Sequence, residues 1–192
     1  MKRFEATRTA ANALGSHLVT CYLGSAAEEL YASGDERRFL YVLGSMGVAS
    51  SVGLGVALAS HRRVLAFEGD GSILMNLGAL VTAAQFGGEG FVLAIVDNRQ
   101  HGATGGQATA TARGLDLAEL AHASGFTRIW VCRSPHEIEL AALEIAYAKG
   151  PVFVHLVVEP GDGPRRVVDL EPAVIVRRIQ SYCRSPSKVV AS

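Results

Sequence analysis

The chain has 192 residues, 49% of them hydrophobic, with 18 basic side chains balanced by 18 acidic ones. Such a length builds one domain with a real core and is marginal for two, and a formal charge of zero argues against nucleic acid or an anionic membrane as the main partner. No apolar run reaches the roughly 18–20 residues of a membrane span, and the opening MKRFEATRTAANALG lacks the apolar stretch of a secretory signal.

A strand is expected at HLVTCYL (17–23), then a short helix at SAAEELYAS (25–33) and a second strand at RFLYVL (38–43). Residues 47–60 read as a small-residue helix and RVLAFE (63–68) as a third strand. Residues 72–86 read as one helix with apolar side chains on more than one face. FVLAIV (91–96) is nearly continuous in apolar character, which suits a strand buried on both sides of a parallel sheet. A polar, glycine-rich loop covers 97–114. A helix at 115–124, a strand at TRIWVC (127–132), a helix at 135–148 and a strand at VFVHLVV (152–158) follow. The segment EPGDGPRR is a loop, and 171–183 is a last helix. Residues 1–192 are therefore expected to form a single three-layer α/β/α domain with a mainly parallel sheet, with a flexible tail over 184–192. Cys21, Cys132 and Cys183 have no CxxC spacing, so neither a disulfide framework nor a structural zinc site is expected and a reducing cytoplasm is the default compartment. Cys21 and Cys132 fall in strands and read as buried structural residues.

In such a fold the ligand lies beyond the carboxyl ends of the strands. Those ends here are Gly24-Ser25, then Gly44-Ser45-Met46-Gly47, then Gly69-Asp70-Gly71-Ser72, then Asp97-Asn98-Arg99-Gln100-His101. Any one such turn can hold Gly for geometry alone, with Asp or Ser as a helix cap. Four in succession point to a phosphate-bearing cofactor, because glycine lets backbone N–H groups approach an anion at a helix start. No GxxxxGK[ST] occurs, which excludes a P-loop. A carboxylate such as Asp70 repels a phosphate unless a cation lies between them, so the pattern calls for a metal. Mg2+ is the natural choice, since it takes hard oxygen ligands and bridges protein to phosphates. Asn98, one helix and one strand after Asp70, can supply a second oxygen from a neighbouring strand end, and the Gln100 carbonyl a third.

Gly69-Asp70-Gly71, then residues 72–96, then Asp97-Asn98 resembles the signature of the thiamine diphosphate enzymes. LGSMGVASSVGLGVALA, GDGSILMNLGAL and GATGGQATATARGLDLAELAHASGF are similar to segments of the sulfopyruvate and phosphonopyruvate decarboxylases, the first of which also occurs as separate subunits. The resemblance covers nearly the whole chain and implies the diphosphate-binding, beta-type subunit. It implies that Asp70, Asn98 and the Gln100 carbonyl hold Mg2+, and that Gly24, Ser25, Gly69, Gly71 and Ser72 meet the diphosphate. It further implies that Gly44, with Ser45 beside it, offers a carbonyl to the aminopyrimidine, and that Met46 is the apolar prop that holds the cofactor bent. The implied reaction is decarboxylation of a small 2-oxo acid. A 3-sulfo or 3-phosphono group needs a cationic partner, for which His101 and Arg99 are the local candidates. The activating Glu of the family comes from a pyrimidine-binding domain that these residues do not contain, so a separate alpha subunit and a hetero-oligomer are expected. The sequence departs from a common form of the motif at Asp97, where many members have Asn, and at Gln100-His101. Alternatives stay open: a carboligase or other 2-oxo acid-processing subunit, a cofactor-binding regulatory subunit, and a nucleotide-binding domain with a fortuitous GDG.

Overall fold

The computed structural model describes residues 1–185. Its elements run α1 (Arg3–Ala13), β1 (Leu18–Cys21), α2 (Ser25–Ala32), β2 (Phe39–Tyr41), α3 (Ala49–Ser60), β3 (Val64–Gly69), α4 (Asp70–Ile73), α5 (Gly78–Phe86) and β4 (Phe91–Asp97). A two-stranded hairpin, β5 (Gln100–His101) and β6 (Gln107–Ala108), follows, then α6 (Leu117–Ala123), β7 (Ile129–Cys132), α7 (Pro135–Ile145), β8 (Val152–Val157) and α8 (Pro172–Arg184).

Six strands form one parallel sheet in the order β2-β1-β3-β4-β8-β7. Every residue of β3 and β4 is buried, as the unbroken apolar run in 91–96 requires. The period of two then sorts their side chains. Leu65, Phe67, Val92, Ala94 and Val96 pack toward α1, α2 and α7, while Val64, Ala66, Phe91, Leu93 and Ile95 pack toward α3, α5 and α6. This is the expected α/β/α arrangement. The chain leaves β1 for the edge strand β2 and returns on the other side of β1 to lay down β3. The strand order thus reverses between β1 and β3, and a crevice opens beyond their carboxyl ends.

Three local expectations change. The first is α1, a helix at the N-terminus that apolar periodicity did not reveal. Its buried stripe is Ala6, Ala10 and Ala11 with the polar Arg3 and Thr7, so the helical spacing is present without large apolar side chains. The second is the single helix over 72–86, which divides into α4 and α5. Met75 N bonds to Ser72 O and Asn76 N to Ile73 O, so the chain tightens into i→i+3 turns. The Asn76 side chain meanwhile leaves the helix to bond Gly47 O at 2.7 Å. The third is the 97–114 loop, which contains the β5–β6 hairpin. Helix α7 begins with a full capping box between Ser134 and Glu137 and Pro135 in its first turn. Arg184 is still helical, and the rest of the expected tail beyond Ser185 lies outside the described residues.

Candidate functional site

The crevice at the β1/β3 reversal is a cleft of about 120 Å³. Gly24, Ser25 and Ala26 line it at the start of α2. Gly24 takes φ +82° and ψ −148°, a conformation open to glycine, and this turn delivers the first N–H groups of α2 to the cleft. Gly69, Asp70, Gly71 and Ser72 line it from β3 and α4, Asn98, Gln100 and His101 from the loop after β4, and Met46 from the loop after β2. Gly44 and Ser45 stand beside Met46 in exposed positions outside this lining. Arg99 is exposed, with φ +62°.

Asp70 is the buried centre of the site, only 2% exposed. Its Oδ2 accepts from Thr109 Oγ1 at 2.6 Å and lies 3.2 Å from Thr111 Oγ1. Thr111 also donates to Asp97 Oδ1 at 2.8 Å, the shorter and preferred of its two options since a hydroxyl has one proton. Asp97 Oδ2 faces His155 Nε2 at 2.9 Å. Burial and the charge of Asp97 push the Asp70 carboxyl up. Burial acts on Asp97 in the same sense, but the hydrogen bonds from His155 and Thr111 outweigh it and hold that carboxyl below its usual range. With Asp97 ionised, His155 Nε2 carries the proton and donates. The departure of Asp97 from the common motif thus has a partner in the adjacent strand: His155 on β8, which pairs with Ile95 of β4.

The loop that follows is shaped by its own side chains. Asp97 Oδ1 accepts from Arg99 N at 3.0 Å, and Asn98 Oδ1 accepts from Gln100 N at 3.2 Å, two consecutive Asx-type turns. They bring Asn98 and Gln100 to the cleft and lay the His101 ring over Gly71. A Cβ on Gly71 would stand 2.3 Å from His101 Cε1 and 3.1 Å from Thr109 Cγ2, so a side chain at the second glycine of the motif would have to push the His101 ring aside.

Ser72 is fully engaged within the chain. Its Oγ accepts from Gly47 N at 2.7 Å and donates to Glu68 Oε1 at 2.5 Å. Only its backbone N–H is left for a ligand. Glu68 is wholly buried, and its Oε2 accepts from Ser50 N at 3.2 Å, near the start of α3. Burial pushes its carboxyl up.

Sequence reasoning missed Arg3 and Tyr22, which also line the cleft. Arg3 arrives from α1 and forms a buried bidentate pair with Glu29 of α2 at 2.8 and 2.9 Å. No motif marks it, and its position follows from the packing of α1 on α2. Tyr22 could have been read from its place two residues before Gly24. Arg165 reaches Ser25 Oγ at 3.0 Å from the segment after β8. Cys21 and Cys132 are buried, and burial pushes both thiols up, Cys132 to about 11, so neither is a thiolate at neutral pH.

The donor set fits a hard cation. Asp70, Asn98 and Gln100 of the lining could supply a carboxylate, a side-chain amide oxygen and a backbone carbonyl, all oxygen and one residue charged. Among the described residues no group of three or more His, Cys, Asp and Glu is placed to hold a metal by itself. That agrees with an ion whose remaining ligands come from phosphates and water. Among the described residues no helix is long and apolar enough to cross a membrane.

These features define a doubly wound α/β domain with its ligand crevice at the switch point. The chain belongs to the thiamine pyrophosphate enzymes: the family model described as the C-terminal TPP binding domain matches residues 19–156. It is 42% identical over 188 residues to the sulfopyruvate decarboxylase subunit beta of Methanothermobacter thermautotrophicus, covering 98% of each chain. It is 37% identical to the phosphonopyruvate decarboxylase of Streptomyces viridochromogenes over 85% of this chain and 41% of that one. A sulfopyruvate decarboxylase of Methanosarcina acetivorans is 33% identical, over 94% of this chain and 46% of its own. The chain thus spans less than half of the two longer relatives. In fold it is similar to the X-ray structure of a protein from Mycobacterium smegmatis assigned as a thiamin diphosphate-dependent enzyme, with a TM-score of 0.66 and 21% identity over 82% of this chain and 32% of that one.

Proposed function

We propose that this chain is the beta-type subunit of a thiamine diphosphate- and Mg2+-dependent decarboxylase that acts on a 3-sulfo- or 3-phosphono-substituted pyruvate. The observation that carries the reading is the convergence of Asp70, Asn98 and Gln100 on one cleft with the α2 N-terminus at Gly24-Ser25. The near full-length likeness to a sulfopyruvate decarboxylase beta subunit supports the substrate class.

In this reading Asp70, the Asn98 side-chain oxygen and the Gln100 carbonyl hold the cation. Gly24, Ser25, Gly71 and Ser72 offer backbone N–H groups to the diphosphate, with Gly69 providing the close approach. The exposed Gly44 carbonyl, with Ser45 beside it, receives the aminopyrimidine, and Met46 props the cofactor in its bent form. His101, on the lining, and Arg99, exposed on the same loop, are the cationic candidates for the sulfonate or phosphonate. When bound, the cofactor supplies the electron sink for loss of CO2 from a 2-oxo acid, and the protein supplies orientation and electrostatics.

A separate pyrimidine-binding subunit completes the site. Among the described residues no glutamate lines the cleft, and Glu68 is committed to Ser72 and Ser50. The cleft's volume of about 120 Å³ is also well below the roughly 300–1,000 Å³ of a complete ligand pocket. Calorimetry with thiamine diphosphate and Mg2+, on the chain alone and with the pyrimidine-binding subunit, tests the binding step. Release of CO2 from sulfopyruvate or phosphonopyruvate by the complex tests the reaction. We expect turnover by the pair and negligible turnover by the chain alone. Robust decarboxylation without a second subunit would overturn the half-site reading.

A further inference from the structure

The loop that carries Met46 has an unusual support. Ser45 has φ +64° and Gly47 φ +76°, so Met46 sits between two left-handed residues, and such a conformation in a serine carries a steric cost. Met46 is 38% exposed at the cleft. Its place is therefore set by the backbone on either side of it, and that backbone is tied to the segment after β3. Gly47 N donates to Ser72 Oγ at 2.7 Å, and Gly47 O accepts from Asn76 Nδ2 at 2.7 Å. The approach is close: a Cβ on Gly47 would stand 2.7 Å from Asn76 Cβ and 2.9 Å from Ser72 O. Ser72 is in turn oriented by Glu68 Oε1, while Glu68 Oε2 holds Ser50 N on the far side of the same loop.

We propose that Asn76, together with Glu68 acting through Ser72, positions Met46 against the cofactor. This inference rests on the reading of Met46 as the cofactor's prop. Glu68, Ser72 and Asn76 flank Asp70 in one short segment, so the clamp fixes the distance between the prop and the metal end of the site. It also accounts for the break between α4 and α5: a continuous helix would leave the Asn76 amide unable to serve Gly47 in this way. Neither Asn76 nor Glu68 lines the cleft, so both act at one remove.

Asn76→Leu keeps the side-chain volume and removes the donor. Glu68→Gln breaks one bond whichever way its amide is turned. If the amide oxygen faces Ser72, its NH2 meets the Ser50 N–H, and if the NH2 faces Ser72, the serine proton has no acceptor. Each variant is assembled with the pyrimidine-binding subunit and compared with wild type. The expected outcome is a kcat lower by roughly 10–100-fold, as misplacement by about an ångström produces, with the thiamine diphosphate dissociation constant in Mg2+ little changed. Amide exchange at Gly47 should rise by roughly five- to tenfold, the value of one hydrogen bond. Glu68→Gln supplies the same readouts if Asn76→Leu does not fold. Faster Gly47 exchange with kcat at the wild-type level would overturn the positioning role alone, as would equal losses in kcat and cofactor affinity alongside a lower thermal midpoint. A wild-type complex that takes up no cofactor would overturn the parent reading, and this inference with it.

Discussion

A cluster of buried polar groups at the carboxyl edge of the sheet and one buried histidine at its amino edge are treated in opposite ways. At the carboxyl edge, Asp70, Thr109, Thr111, Asp97 and His155 form one contiguous polar network, in which Thr109 donates to Asp70, Thr111 and His155 bond Asp97, and the two threonine hydroxyls lie 2.9 Å apart. Glu68, Ser72 and Gly47 form a second. At the amino edge, His17 precedes β1 and is only 1% exposed, yet neither of its ring nitrogens has a partner. Its neighbours there are cationic, Arg38 and Arg63, and they lower its pKa further. Buried polar groups cost free energy unless they are paired. The groups around the cleft offset that cost with networks that also fix side chains, Ser50 Oγ excepted, while His17 simply bears it beside an Arg38 that is paired with Glu36 and with the carbonyls of His17 and Ala11. Buried polarity alone therefore does not mark a site, and connectivity between elements discriminates better.

The sharpest way to break this contrast is at Asp70. Asp70→Ala removes the one charged oxygen donor proposed for the cation, and Mg2+-dependent binding of thiamine diphosphate should fall by more than the roughly 10–100-fold typical of outer-shell partners. Calorimetry with and without Mg2+ measures it, and a variant that binds the cofactor like wild type would remove Asp70 from the metal set. His155→Ala comes next. It leaves Asp97 buried with only Thr111 and the Arg99 N–H, and loss of one partner of a buried pair should cost about 3 kcal/mol of stability. Urea unfolding gives that figure. Because His155 reaches Asp70 only through Asp97 and Thr111, cofactor affinity should weaken by roughly tenfold at most, the low end for outer-shell groups. A large loss of affinity with unchanged stability would instead place His155 next to the ligand.

How much of this was legible beforehand follows from what carries each signal. The sheet was, because buried parallel strands such as 91–96 must be apolar throughout. The cleft was legible wherever chemistry is tied to a turn, as at Gly24, Asp70 and Asn98. Helix α1 was not, because alanine and a paired arginine bury its face without an apolar period. With it went Arg3, whose role in the lining depends on the tertiary contact with Glu29. His155 lies inside the strand VFVHLVV with no local mark of its own, since its partner Asp97 is distant in the chain and meets it only through the pairing of β4 with β8. The break at Asn76 was hidden for a similar reason: the competing acceptor, Gly47 O, belongs to another loop.

The smallest expected effect tests the amino edge. Burial, with the charges of Arg63 and Arg38, lowers the His17 pKa from 6.5 to about 4. Above the ordinary value, the ring is neutral in both the folded and unfolded chain, and it contributes nothing to the pH dependence. As pH falls below that value the unfolded chain takes up the proton first, so stability drops, until the folded protein also protonates near pH 4. Near pH 5.5 the loss amounts to roughly 1 kcal/mol. Glu68 works in the opposite sense, since its raised carboxyl binds a proton more readily when folded and gains stability as pH falls. The difference between wild type and His17→Leu isolates the histidine from that background. The leucine variant should be at least as stable at neutral pH, because two unpaired buried nitrogens are gone. Its urea midpoint should also fall less between neutral pH and pH 5.5. Equal slopes for the two proteins would mean that His17 finds a partner or water in solution, and the contrast between the edges would then rest on the carboxyl side alone.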